Sequence, residues 1–365
     1  MLVIEQLQYA TTSRYNFPQM LHGVEIPQRL IELSQKSMHT VKGRFLQPYW
    51  TESFESLAET AQESPPVSIN SRALSTLITP LTPVRDGTPI IGIDTSTIKI
   101  GETEAGIIWA VRAAVVWGNN RGYRYLRLGP LPFHITEENK HAFFGGSVDH
   151  TFLNATSFSS VSAETQGRLC NLIERWIQAS VSHSVSESII LWDGSLTAGT
   201  PGNPVSQISH ILEVARKNRN AILAFSKTTT IRSLGWRITD FATRYEPPCL
   251  FEVADLPLST SRRIHLLGRI YAANLSRGGR SFRLDIDRTL SREQGIEAVE
   301  RLLGNELMFQ GYPETLRLAH IYSTFTANDV IGIQSFLKRE YGLKIINRRS
   351  IRKALFGPYG TRYED

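Results

Sequence analysis

The chain has 365 residues, enough for a large buried core, and its 41% hydrophobic and 20% charged residues exclude a disordered or fibrous polymer. Two cysteines, Cys170 and Cys249, are too few for a multi-bridge secreted scaffold or a four-cysteine zinc site. The formal net charge is +6, and the basic excess falls in the last third, where residues 261–365 hold 18 Lys and Arg against 11 Asp and Glu. That tilt, which includes Arg262, Arg263, Arg277, Arg280, Arg283, Arg348, Arg349, Arg352 and Lys353, suits a polyanion partner or a solvated surface. The opening MLVIEQLQYATTSRYNF has an early glutamate and no basic-then-apolar run, and no long uncharged apolar stretch follows. A cytoplasmic protein without signal peptide or membrane span is the expectation.

Residues 1–85 read as an N-terminal helical segment, with pieces such as IPQRLIELSQKSMHTV, followed by a Ser-, Thr- and Pro-rich connector. The run Pro89-Ile90-Ile91-Gly92-Ile93-Asp94 predicts a buried strand closing on an acid. Ile107–Trp117 and Tyr123–Leu128 are two more strands, joined through a hairpin loop at Gly118-Asn119-Asn120-Arg121-Gly122. Leu169, Leu172, Ile173, Trp176 and Ile177 recur at helical spacing. Next come the strand Ser188–Asp193, helical residues from Ile208 to Ala215, and the strand Ala221–Phe225. Residues 264–287 predict further strand broken by a turn at Arg277–Arg280, and two helices follow near 292–309 and 327–340.

Three strands, a helix, a strand, a helix and a strand is the order of a ribonuclease-H-like mixed sheet with flanking helices, here with additional N- and C-terminal helices. In that arrangement the first three strands form an antiparallel meander, and the fourth lies parallel beside the first. Asp94 and Asp193, each read as ending an apolar strand, would then sit side by side. Two close carboxylates repel, and a hard divalent cation keeps both ionised. A pair of such ions activates a water and stabilises the leaving oxygen of a phosphodiester. The competing roles are a turn at Asp193-Gly194 and a helix cap.

A third carboxylate belongs on the helix before Asp193. Of the candidates, Glu164 and Glu174, the helical wheel favours Glu174, which borders the apolar arc. Lys227, in Phe225-Ser226-Lys227-Thr228, could bind the scissile phosphate. Tyr312 could donate to a phosphate, and His320 could complete a metal shell or shuttle a proton. The bland alternatives are a surface lysine, a packed tyrosine and a satisfied histidine. No GxxxxGK[ST], HExxH or GxSxG occurs, which disfavours a P-loop nucleotide hydrolase, a metalloprotease and an α/β-hydrolase.

Strand-Asp94-Thr-Ser, the Leu-Ile-Glu174 helix, Leu-Trp-Asp193-Gly-Ser-Leu, Phe-Ser-Lys227-Thr and the Tyr312…His320 pair together resemble the NurA nucleases, over about residues 85–345. The resemblance implies a nuclease domain over residues 86–350, with a basic tail at 351–365. It further implies Mn2+-dependent DNA cleavage, with Mg2+ as the alternative ion. A homodimer that acts as a 5′-to-3′ exonuclease and single-strand endonuclease in DNA end processing is implied too. The partners would be single-stranded DNA, duplex ends and a HerA-type hexameric ATPase. Asp94, Glu174, Asp193 and His320 would hold metal, while Lys227 and Tyr312 would contact phosphate. The family's first motif usually reads Asp-Gly-Ser; here Thr95 replaces the glycine, so a differently shaped turn after Asp94 is expected. That departure keeps a non-catalytic DNA-binding adaptor in view. A metal-free carboxylate hydrolase acting on sugars is a further alternative, but it leaves the basic third unexplained.

Overall fold

The apolar runs Ile90–Ile93 and Ile189–Trp192 lie side by side as parallel strands in a computed structural model that describes residues 28–48, 67–69, 78–119, 122–144, 158–199, 202–229, 231–233, 236–253 and 265–346. The expected tail at 351–365 lies outside the described residues, as do Arg262, Arg263, Arg348, Arg349, Arg352 and Lys353. In chain order the main elements begin with α1 (Gln28–His39), β1 (Phe45–Pro48), β2 (Ile78–Pro80), β3 (Ile90–Glu102), β4 (Gly106–Asn119) and β5 (Gly122–Thr136). They continue with α2 (Phe158–Ser184), β6 (Ile189–Asp193), α3 (Val205–Lys217), β7 (Ala221–Ser226), β8 (Cys249–Glu252), β9 (Gly268–Asn274) and β10 (Ser281–Asp287). The last are α4 (Arg292–Asn305), α5 (Glu314–Ser323), α6 (Ala327–Tyr341) and β11 (Lys344–Ile345).

These strands form one mixed 11-stranded sheet. β3, β4 and β5 are an antiparallel meander, β6 runs parallel to β3 on its other edge, and β7 runs parallel to β6. That is the ribonuclease-H-like arrangement. β10, β9, β8 and β2 extend it as successive antiparallel strands. The N-terminal segment is therefore more than helix and connector, because β1 and β2 both join this sheet. Four-residue and three-residue strands carry too little periodicity to register in a sequence.

Alternation along the strands builds a core on each face. Ile91, Ile93, Ile190 and Trp192 pack with Leu169, Ile173, Ile177 and Val181 of α2 and with Ile208 and Ile211 of α3. Ile90, Ile189 and Leu191 face the other way, onto Val299 and Leu302 of α4 and Leu316 of α5. Each fully buried Ile or Leu contributes about 1.5–3 kcal/mol, so the two layers fix strand register firmly. By the same period of two, Asp94 and Asp193 share the α5 face.

The apolar run predicts a first strand that closes on Asp94; in the structure β3 runs on to Glu102. Thr95 adopts no positive φ and is extended, so the turn expected there is absent. A β-branched residue suits that conformation. The glycine requirement sits instead after the second acid, where Gly194 has φ +119° as the chain leaves β6.

Candidate active site

β3 has an interrupted edge. β6 pairs with it only over Ile90–Ile93, and β1 joins it only at Gly101 and Glu102. Between these, among the described residues, the Asp94–Ile100 edge has no strand beside it, and side chains bond to several of its carbonyls. Cys170 Sγ donates to the Thr95 carbonyl (3.2 Å), Gln166 Nε2 to Thr97 (3.3 Å) and Gln334 Nε2 to Ile100 (3.1 Å). Asp94 stands at the mouth of this gap, and Asp193, the last residue of β6, lies beside it.

α5 lays His320 across the pair. His320 Nδ1 is 3.2 Å from Asp94 Oδ2 and 3.9 Å from Asp193 Oδ2. One ligand atom each from Asp94, Asp193 and His320 falls within a mutual 4.8 Å, the spacing of a group able to hold a metal ion. Asp94 is buried and His320 is exposed, so the cluster opens to solvent on the α5 side. Lys227, at the end of β7, donates from Nζ to Asp193 Oδ2 at 2.7 Å and is half exposed. Burial, then the charge of Asp94, raises the Asp193 pKa, and Lys227 only partly offsets this.

Tyr312 is buried, its ring against Phe225 and Phe282 and beneath the Lys227 ammonium at 5.9 Å. Its hydroxyl is buried beside Asp193, and burial, then the charges of Asp193 and Asp94 and a hydrogen bond toward Asp193, hold it protonated far above the usual tyrosine range. The donor set suits a hard divalent ion: two carboxylates and an imidazole, with uncompensated negative charge between them.

Glu174 lies outside that trio. It projects from α2, on the opposite face of the sheet, and accepts from Gln178 Nε2 at 2.8 Å. Burial, with added repulsion from Asp94 and Asp193, raises its pKa to about 7 despite the neighbouring Arg175. It is thus close enough to sense both aspartates without joining their cluster. The side chain of its rival, Glu164, is outside the described ones.

The helix that carries His320 is clamped at both ends. At its start Glu306 accepts from Tyr123 Oη (2.7 Å), from the Leu307 amide (2.9 Å) and from the Thr315 hydroxyl. At its end Ser323, fully buried, donates to Asp94 Oδ2. Arg112 of β4, 3% exposed, reaches past it to the Thr324 carbonyl (3.1 Å) and to Asp329 (2.7 Å) at the start of α6. Sequence reasoning passed over Ser323 and Arg112; the one available signal was that Ser323 follows His320 by three, on the same helical face. Several arginines of the basic third are committed to acids instead of lying free. Arg283 is bidentate to Asp285 at 2.7 Å, and Arg277 pairs with Glu246 at 2.6 Å.

Among the described residues no helix is long and apolar enough to cross a membrane. No curated protein matches the chain in sequence. Of solved structures, the NurA nuclease from Sulfolobus solfataricus is similar at 17% identity and a TM-score of 0.48, covering 71% of this chain and 87% of that one. Another NurA structure is similar at 9% identity and a TM-score of 0.42, covering 73% and 92%. Endonuclease V from Bacillus subtilis is similar at 10% identity and a TM-score of 0.32, covering 72% and 88%. The NurA domain matches residues 88–323, which take in β3 with Asp94, α2 with Glu174, β6 with Asp193 and α5 with His320. With that match spanning well over half of its length, the chain belongs to the NurA nuclease family.

Proposed function

We propose that this protein is a divalent-cation-dependent DNA nuclease. The observation that carries the reading is the convergence of Asp94, Asp193 and His320 within 4.8 Å at the open edge of β3. Asp94, Asp193 and His320 would hold the ion, with Glu174 contributing from the α2 side; Mn2+ is the proposed metal and Mg2+ the alternative. Bound there, it supplies Lewis acidity toward a phosphodiester, worth several kcal/mol of transition-state stabilisation.

The chain's own residues do the rest. Lys227, half exposed beside Asp193, presents its ammonium to a non-bridging phosphate oxygen. Tyr312 keeps its proton, and because its hydroxyl is buried beside Asp193 it would bear on the phosphate through Asp193 and Lys227 instead of by direct contact. His320, exposed and within reach of both carboxylates, can exchange a proton at its imidazole with solvent. The described arginines that are paired with acids leave backbone binding to the remaining basic residues, through charge neutralisation without base reading. Family membership supports 5′-to-3′ exonuclease and single-strand endonuclease activity in DNA end processing, a homodimer, and a HerA-type hexameric ATPase as partner.

Purified protein incubated with end-labelled linear DNA and Mn2+ tests the reading. Cleavage by wild type that EDTA stops and that Asp193→Ala lacks is the expected result. No cleavage by wild type would make the chain a DNA-binding adaptor, and equal cleavage by Asp193→Ala would move the chemistry elsewhere.

A further inference from the structure

Strand register brings Asp94 to the site but does not aim its oxygens. The terminal torsion of an aspartate is a broad, soft rotation about an sp³–sp² bond. Something else must hold the carboxylate in one orientation if it is to bind a cation repeatedly in the same geometry. Ser323 is placed to do so. It occupies the last turn of α5, its side chain is completely buried, and its hydroxyl donates to Asp94 Oδ2. Oδ2 is also the oxygen that His320 Nδ1 approaches at 3.2 Å, so two residues one helical turn apart converge on a single carboxylate atom.

The Ser323 hydroxyl has a second neighbour, Ser96 Oγ at 3.1 Å, and a third, the His320 carbonyl at 3.0 Å. With Ser96 donating to Ser323 and Ser323 to Asp94, each proton has one destination, and the line of hydroxyls ends on the carboxylate. A buried hydroxyl costs stability unless it is bonded, and here it donates to the site's carboxylate and accepts from a hydroxyl of β3, the His320 carbonyl being a competing acceptor for the same proton. Ser323 has no exposed surface, so it cannot touch a substrate. Its effect runs through Asp94.

We propose that Ser323 is a positioning residue that orients the Asp94 carboxylate for cation binding and ties the His320 helix to it. The inference rests on the functional reading above, and it assigns no chemistry to Ser323 itself. Residues that hydrogen-bond to metal-binding carboxylates typically change metal affinity or activity by about 10- to 100-fold when removed.

The test is direct Mn2+ binding by titration calorimetry without DNA, together with the Mn2+ dependence and DNA KM of cleavage. The variants are Ser323→Ala and Ser323→Thr. Ser323→Ala should weaken Mn2+ binding about tenfold or more, with the DNA KM unchanged, and Ser323→Thr, which keeps the donor, should bind within about threefold of wild type. Should Ser323→Ala fail to fold by circular dichroism, Ser323→Cys replaces it: near-isosteric but a weak donor, it should show the same loss. Unchanged Mn2+ affinity in Ser323→Ala, or in Ser323→Cys where that variant stands in, overturns the proposal. A wild type that neither binds Mn2+ nor cleaves would overturn the nuclease reading itself, a distinguishable failure.

Discussion

Ile93 and Trp192 are register partners in adjacent parallel strands, and that pairing makes neighbours of Asp94 and Asp193, the residues that follow each. Both acids then project to the α5 face, where Lys227 and His320 meet them. Lys227 does not fully offset the burial of Asp193 and the charge of Asp94 beside it. A site with this surplus of negative charge calls for a cation.

Asp94→Asn keeps the shape of the side chain and removes its charge. Cleavage in Mn2+ should fall at least about 100-fold, the loss of several kcal/mol of transition-state stabilisation. DNA binding in EDTA, followed by gel shift, should be nearly unchanged, because the backbone-binding charges are separate from this carboxylate. Proportional loss of binding and cleavage would show that Asp94 serves the fold or the DNA surface instead.

Glu174 gives a pH prediction. Its pKa rises from 4.5 to about 7 on folding, so the native state binds its proton more tightly than the unfolded chain. Stability of the cation-free protein should therefore be highest below about pH 4.5 as far as this group is concerned, and fall as pH climbs to about 7. A shift of this size corresponds to roughly 3 kcal/mol. Glu174→Gln, which keeps the Gln178 contact, should flatten that slope and raise the melting temperature at neutral pH in EDTA. An unchanged slope of stability against pH would show that Glu174 is not the group responsible.

The two aspartate strands of this site are legible in the sequence, and what the sequence hides it hides for physical reasons. The run Ile90–Asp94 and the run Ile189–Asp193 are continuous apolar stretches because both faces of a parallel central strand are buried. Glu174 could be chosen over Glu164 because Leu169, Ile173 and Ile177 mark the packed side of a long helix. α5 was not legible: ten residues with only Thr315, Leu316, Ala319 and Ser323 buried make a stripe too short to stand out, and half of it is polar. The continuation of β3 beyond Asp94 was hidden as well, since Thr95-Ser96-Thr97 looks like a loop until the edge they occupy is known to be open. Asp329 shows the same limit, because its pKa near 2 depends on Arg112, a hydrogen-bond partner far off in sequence. Hydrogen bonds from Arg112 and Thr326 there overcome a burial cost that alone would raise it.

Gly92 sets how closely α5 approaches the sheet. A Cβ at this position would lie 2.8 Å from the Thr315 carbonyl oxygen and 3.0 Å from Leu316 Cα, both backbone atoms that cannot rotate away. Gly92→Ala should therefore push α5 outward and destabilise the fold by about 1–3 kcal/mol, measured by urea denaturation. Because His320 and Ser323 ride on α5, Mn2+ affinity should fall in the fraction that remains folded. An alanine variant with wild-type stability and affinity would mean that the helix is free to shift without cost.

Lys227 joins the electrostatics of the site to its chemistry. Its ion pair with Asp193 is half exposed on the lysine side, so Lys227→Met should change stability by less than about 1 kcal/mol. Catalysis should suffer much more: losing one preorganised donor to a phosphate costs about 10²–10³ in kcat. Lys227 is also the leading group that lowers the Asp193 pKa, so its removal leaves burial and Asp94 to raise it further. The residual activity should accordingly show an acid limb displaced to higher pH, since Asp193 must now lose its proton against a stronger opposing field. Lys227→Arg, which keeps the charge, should return that limb toward its wild-type position even if its larger head recovers only part of kcat. A methionine variant with unaltered kcat and pH profile would remove Lys227 from the mechanism and leave it a surface side chain resting on Tyr312.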